Sequence, residues 1–166
     1  MALERADAVL GSRDSSELTE QARELEQVVQ RLLIAEQSEF AEETASFGLT
    51  VPQYVTLSAI ETFDGGRERM GKIADMARQC SATMTGIIDR LENMALVQRV
   101  NNPNDRRSVL VELTDEGRRR LEEVREIRRR RLTSVLAQIE PDVRHCVCDV
   151  LRHYVTALEQ AERNSA

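Results

Sequence analysis

Hydrophobic and polar positions alternate most legibly between residues 81 and 114. Met84, Ile87, Ile88 and Leu91 recur at i, i+3, i+4 and i+7, which predicts a helix with one apolar stripe. Ser81 stands just ahead of that stripe, where its hydroxyl can serve as an N-cap. The opposite face carries Thr83, Thr85, Gly86, Asp89 and Arg90. Small and hydrogen-bonding groups of this kind suit close approach to base edges. Two β-type runs follow, Val97-Gln98-Arg99-Val100 and Val109-Leu110-Val111-Glu112-Leu113, around a turn-rich segment beginning Asn101-Asn102-Pro103-Asn104-Asp105. That pattern predicts a hairpin with Arg106 and Arg107 at its tip. A helix followed by a basic-tipped hairpin is the order of a winged helix-turn-helix.

The flanking pattern is helical. Residues 1–16 read as a flexible polar lead-in, with Gly11-Ser12 and Ser15-Ser16 as breakers. Across 17–46, Leu18, Ala22, Leu25, Val29 and Leu32 form a seam of the coiled-coil type, widened by Val28, Leu33 and Phe40. Thr50-Val51-Pro52-Gln53 has capping-box spacing, with a proline tolerated in the first turn. Asp64-Gly65-Gly66 reads as a turn. Met70, Ile73, Ala74, Met76 and Ala77 give a short helix, and Arg78-Gln79-Cys80 the turn into Ser81. Thr114-Asp115-Glu116 opens another helix with a capping hydroxyl and two acids at its positive end. Glu140-Pro141-Asp142 breaks that helix and starts the last one.

The expected fold is therefore mostly α with a small β-hairpin wing: a winged helix-turn-helix over 47–113, flanked by terminal dimerisation helices at 17–46 and 114–166. The terminal helices carry more apolar face than a small winged domain can cover, which makes a homodimer the economical arrangement.

NPNDRRSVLVELTDEG resembles the wing and following helix start of the MarR (multiple antibiotic resistance regulator) family. LTVPQYVTLSAI and IADMARQCSATMTGIIDRLENMALVQRV are similar to that family's upstream helices, so the likeness runs from about Leu49 to about Leu121. Ala95 departs from it, standing where the family usually has glycine at the end of the recognition helix. The resemblance implies a homodimeric, ligand-responsive regulator, most often a repressor, reading a palindromic operator in double-stranded DNA. It assigns DNA contact to Ser81, Thr83, Thr85, Gly86, Arg90, Arg106 and Arg107, with Asp105 pairing to a wing arginine and orienting it. In the family, small aromatic ligands often bind between the dimer helices and the winged domain. Phe40, Phe47 and Tyr54 are candidates for such an effector crevice, with ordinary core packing as the alternative.

Charge distribution strengthens the nucleic-acid reading. The 166-residue chain has a net charge of −6. Residues 67–131 nevertheless hold 16 basic and 11 acidic residues, against 7 and 18 in the remainder. The basic half is the motif half, as a DNA-facing surface requires. No run is apolar enough to span a membrane, and no apolar leader core opens the chain, so a cytoplasmic protein is expected. Three cysteines without framework spacing fit a reducing compartment.

The remaining candidate chemistry reads as structural. Arg128-Arg129-Arg130-Arg131 reads as a solvated, salt-bridged helix face, since Glu126 lies four before Arg130, and Glu122 and Glu123 lie four after Arg118 and Arg119. Cys146 and Cys148 project about 200° apart on a helix and cannot share one metal ion, so no metal and no cofactor is expected. Cys80 reads as a small buried hydrophobe rather than a redox switch. No phosphate loop or catalytic triad stands out, and the chain is not expected to be an enzyme. The competing class is a winged-helix protein-interaction module in which DNA binding is secondary or lost.

Overall fold

The computed structural model describes residues 12–103, 105 and 108–165. Their helices are α1 (Ser12–Ala45), α2 (Val51–Glu61), α3 (Met70–Met76), α4 (Ser81–Asn93), α5 (Asp115–Ala137) and α6 (Pro141–Ser165), with strands β1 (Arg67–Arg69), β2 (Val97–Asn101) and β3 (Val109–Leu113). The described part of the chain is thus mostly helical, with a small antiparallel sheet of order β1-β3-β2.

The chain divides into two compact units, residues 37–131 and the terminal segments 1–36 with 132–166. The division falls inside α1 and inside α5. Helix α1 begins at Ser12 rather than at the expected Glu17, so Ser15 and Ser16 lie within it. Serine is only mildly unfavourable in a helix, and the Ser15 carbonyl accepts a bond from the Thr19 hydroxyl at 2.7 Å.

The core of the 37–131 unit gathers Leu57 and Ile60 of α2, Ile73 of α3, Met84, Ile88 and Leu91 of α4, Val97 of β2, Val111 of β3, and Leu121 and Val124 of α5. Each large side chain fully withdrawn from water here contributes roughly 1.5–3 kcal/mol. The stripe predicted for α4 is the face that is buried. The capping box at α2 is complete: the Thr50 amide donates to Gln53 Oε1 at 2.8 Å and the Gln53 amide to Thr50 Oγ1 at 3.4 Å.

A third strand, β1, joins the predicted hairpin. It pairs with β3, Arg67 opposite Glu112 and Arg69 opposite Leu110. Glu112 then lies between Arg67 (3.8 Å) and Gln98, whose Nε2 donates to it at 2.9 Å. The strand is Arg-Glu-Arg and has no apolar alternation, so pairing with β3 rather than its own pattern makes it a strand.

The terminal unit joins residues 1–36 with 132–166. None of its described residues on α1, α5 or α6 is buried. Leu18, Leu25, Val28, Leu32, Leu33 and Ile34 of α1 are exposed, as are Val143, Val150, Leu151, Val155 and Leu158 of α6.

Candidate nucleic-acid interface

Helices α3 and α4 with the turn between them form the helix-turn-helix. α3 ends in a Schellman-type turn: the Gln79 amide donates to the Ala74 carbonyl at 2.9 Å and the Arg78 amide to Asp75 at 3.1 Å. Arg78 takes the left-handed conformation there, φ 51°. Cys80, not Ser81, is the N-cap residue of α4, and Ser81 is the first residue of the helix. The reason is the extended backbone of Cys80, φ −73° and ψ 153°, from which the helix starts.

Cys80 is exposed, which corrects its reading as a buried hydrophobe. At the N-cap it lies outside the stripe that begins at Met84, so no core position is open to it. Its Sγ is 3.1 Å from Thr83 Oγ1. That hydrogen bond, and then the amide groups of the first turn, hold the thiol below its ordinary pKa.

The burial of Met84, Ile87, Ile88 and Leu91 turns the other face of α4 outward. Ser81, Thr83, Thr85, Gly86, Asp89 and Arg90 are all exposed. Thr85 is oriented by its hydroxyl, which donates to the Ser81 carbonyl at 3.0 Å. A Cβ added at Gly86 would meet nothing within 4 Å, so internal packing does not require glycine there. α4 closes in a second Schellman turn: the Leu96 amide donates to the Leu91 carbonyl and the Ala95 amide to Glu92, both at 2.9 Å. Ala95 is left-handed, φ 57°, in the position where the resembled family usually has glycine.

The sheet carries the wing. Asn102 and Ser108 close its loop through a backbone bond of 3.1 Å and a side-chain bond of 2.8 Å. Arg106 and Arg107 lie outside the described residues, so their assigned contacts, and the Asp105 pairing with them, rest on the sequence. Asp105 forms an ion pair with Arg69 of β1 at 3.3 Å, which ties the wing loop to the third strand. Arg99 of β2 reaches α4, pairing with Asp89 at 2.6 Å and with Glu92. Neither Arg69 nor Arg99 is marked out by the sequence pattern. Their partners lie on other elements, and no local spacing announces such pairs.

The candidate effector residues separate. Phe40 and Tyr54 meet edge to face, ring centroids 5.2 Å apart, and the Arg128 guanidinium lies 4.5 Å from the Phe40 centroid. Arg128 and Arg131 both pair with the buried carboxylate of Glu43, at 3.2 and 2.5 Å. Phe47 instead lines an open depression of about 440 Å³ with Arg119, Glu122, Glu123, Glu126, Ile127 and Arg130 of α5. Of the arginine run, Arg130 pairs with Glu126 at the expected spacing and Arg129 pairs with Glu126 and Glu122, both arginines being exposed. Arg128 and Arg131 depart from the solvated face expected and lie half-buried, drawn in by the Glu43 carboxylate of α1. Among the described residues no cluster of three or more His, Cys, Asp or Glu is arranged to hold a metal ion, and no helix is long and apolar enough to cross a membrane.

These elements define a class, the winged helix-turn-helix: a helix-turn-helix whose second helix exposes a polar face beside an antiparallel wing. Residues 49–109 match the MarR family, and that segment holds the helix-turn-helix and most of the wing. The HTH-type transcriptional repressor NicR of Pseudomonas putida is 37% identical over 78 residues, 47% of this chain and 48% of NicR. The chain spans about half the length of curated relatives it matches. A MarR family protein from Bacillus stearothermophilus superposes with a TM-score of 0.71 at 25% identity, over 87% of this chain and 97% of that one. A MepR mutant of S. aureus, solved bound to an oligodeoxyribonucleotide, shares the fold with a TM-score of 0.60 at 17% identity, over 81% of this chain and 97% of that one. Further relatives are likewise named as HTH-type transcriptional regulators, in keeping with the expectation that the chain is not an enzyme.

Proposed function

We propose that the protein is a sequence-specific DNA-binding transcriptional regulator that acts as a homodimer, represses from a palindromic operator and releases DNA on binding a small aromatic ligand. The observation that carries the DNA reading is the outward face of α4. Thr83, Thr85, Gly86 and Arg90 present donors, acceptors and an open notch on one rigid helix whose opposite stripe is buried. Such a face fits the major groove, where base pairs differ in donor, acceptor and methyl pattern. Arg106 and Arg107 then supply backbone or minor-groove contacts from the wing. The repressor assignment follows the name of the Pseudomonas relative. The homodimer is supported by exposed leucines, valines and isoleucines on α1 and α6, spaced as helical seams. Phe40 and Tyr54, already in contact, are the aromatic pair offered to the ligand.

The test is a mobility shift with DNA from upstream of the protein's own gene, in competition with random DNA. A shift that survives random competitor supports the reading. Absence of any shift at micromolar protein would favour the protein-interaction module.

A further inference from the structure

The face of α4 assigned to DNA carries two acids that belong badly beside phosphates. Asp89 stands one turn beyond Thr85 and next to Arg90, with its side chain 53% exposed. Glu92 follows one turn later, 37% exposed. Unpaired carboxylates within a Debye length of a polyanion oppose its approach.

Both are met by one side chain. Arg99 Nη2 lies 2.6 Å from Asp89 Oδ1, and Arg99 Nη1 bonds Glu92 Oε2. The planar guanidinium can bond two carboxylates at once in fixed directions, which an ammonium cannot do. Arg99 stands in β2 opposite Val111 of β3, so the same contact links the strand ladder of the wing to α4. Ion pairs this exposed contribute little to folding stability. Their effect falls on whatever charged surface the helix meets.

We infer that Arg99 is a positioning residue that masks the charges of Asp89 and Glu92, allowing the outward face of α4 to approach DNA. This rests on the DNA-binding reading above. Arg99 need not touch DNA itself.

Binding of an operator fragment and of random DNA by the full chain tests it, with melting curves for every variant. Arg99→Gln should bind both DNAs roughly tenfold more weakly, while melting near wild type. Adding Asp89→Asn and Glu92→Gln to Arg99→Gln removes the exposed acids and should return affinity to wild type or above. Adding Glu122→Gln and Glu126→Gln instead makes the same formal charge change on α5 and should leave binding weak. In the otherwise wild-type chain, Asp89→Asn with Glu92→Gln should bind at least as tightly as wild type, a readout that does not depend on how Arg99→Gln folds. The inference is overturned by an Arg99→Gln protein that binds as wild type, by failure of the α4 substitutions to restore binding, or by equal restoration from α5. A wild-type chain without affinity for either DNA would instead overturn the DNA reading itself.

Discussion

Gly117 lies so close to the carbonyl oxygen of Leu96 that a Cβ on residue 117 would stand 2.1 Å from it. The same carbonyl accepts the Thr114 amide at 3.1 Å, and the Thr114 hydroxyl donates to Ala95 at 2.7 Å while accepting the Gly117 amide at 3.0 Å. One cap thus joins the start of α5 to the segment between α4 and the wing. The glycine of the Thr-Asp-Glu-Gly run is there for close approach, since it lies in a helix where alanine would otherwise be preferred. Gly117→Ala should destabilise the protein by about 2 kcal/mol or more, as overpacking against backbone does. Denaturant unfolding measures it, and a variant as stable as wild type would show that the contact yields.

Ala95 offers the opposite sign. Its left-handed φ of 57° costs an L-residue roughly 1–2 kcal/mol, part of which glycine returns through greater freedom in the unfolded chain. Ala95→Gly should raise stability by about 0.5–1 kcal/mol. A drop in melting temperature would contradict the Schellman geometry at the end of α4.

Cys80 provides a pH dependence. The Thr83 hydroxyl, with the first-turn amides, stabilises the thiolate, so the folded pKa lies below the unfolded one. Alkylation of Cys80, in a chain carrying Cys146→Ser and Cys148→Ser, should therefore gain rate at lower pH when folded than when denatured. Thr83→Val should move the folded midpoint up. Midpoints that coincide in the folded and denatured chains would count against the contact.

The proposed homodimer has a direct readout. Sedimentation at micromolar concentration should give twice the chain mass. Leu25→Glu with Leu32→Glu, both exposed in the single chain, should shift it to monomer. Wild-type protein found as monomer alone would remove the dimer from the account.

What was legible in the sequence was what repeats at short range. The α4 stripe, the capping box at Thr50 and Gln53, and the hairpin around residues 101–108 each follow from residues a few positions apart, and all are present. β1 was not legible, because Arg67-Glu68-Arg69 becomes a strand through Glu112 and Leu110 of β3. Cys80 misled because residue type suggested burial, whereas position at the N-cap decides exposure. Arg69 and Arg99 were missed for a related reason: their partners, Asp105 on the wing and Asp89 with Glu92 on α4, are brought together by the fold. The candidate effector residues share only aromatic character in the sequence, and in the fold Phe40 and Tyr54 form a ring-to-ring contact while Phe47 and Tyr54 pack against the core.

The central claim is that α4 reads DNA while the wing arginines hold its backbone. The most direct measurement is the affinity of wild type, Arg90→Ala, Arg106→Ala and Arg107→Ala for operator and random DNA across a salt series. Each wing substitution should weaken both DNAs and lower the salt slope by about one per chain, or about two per dimer. Arg90→Ala should weaken the operator more than random DNA if Arg90 reads a base. Wild-type affinities and slopes in both wing variants would contradict the account and leave the winged domain as a protein-interaction module.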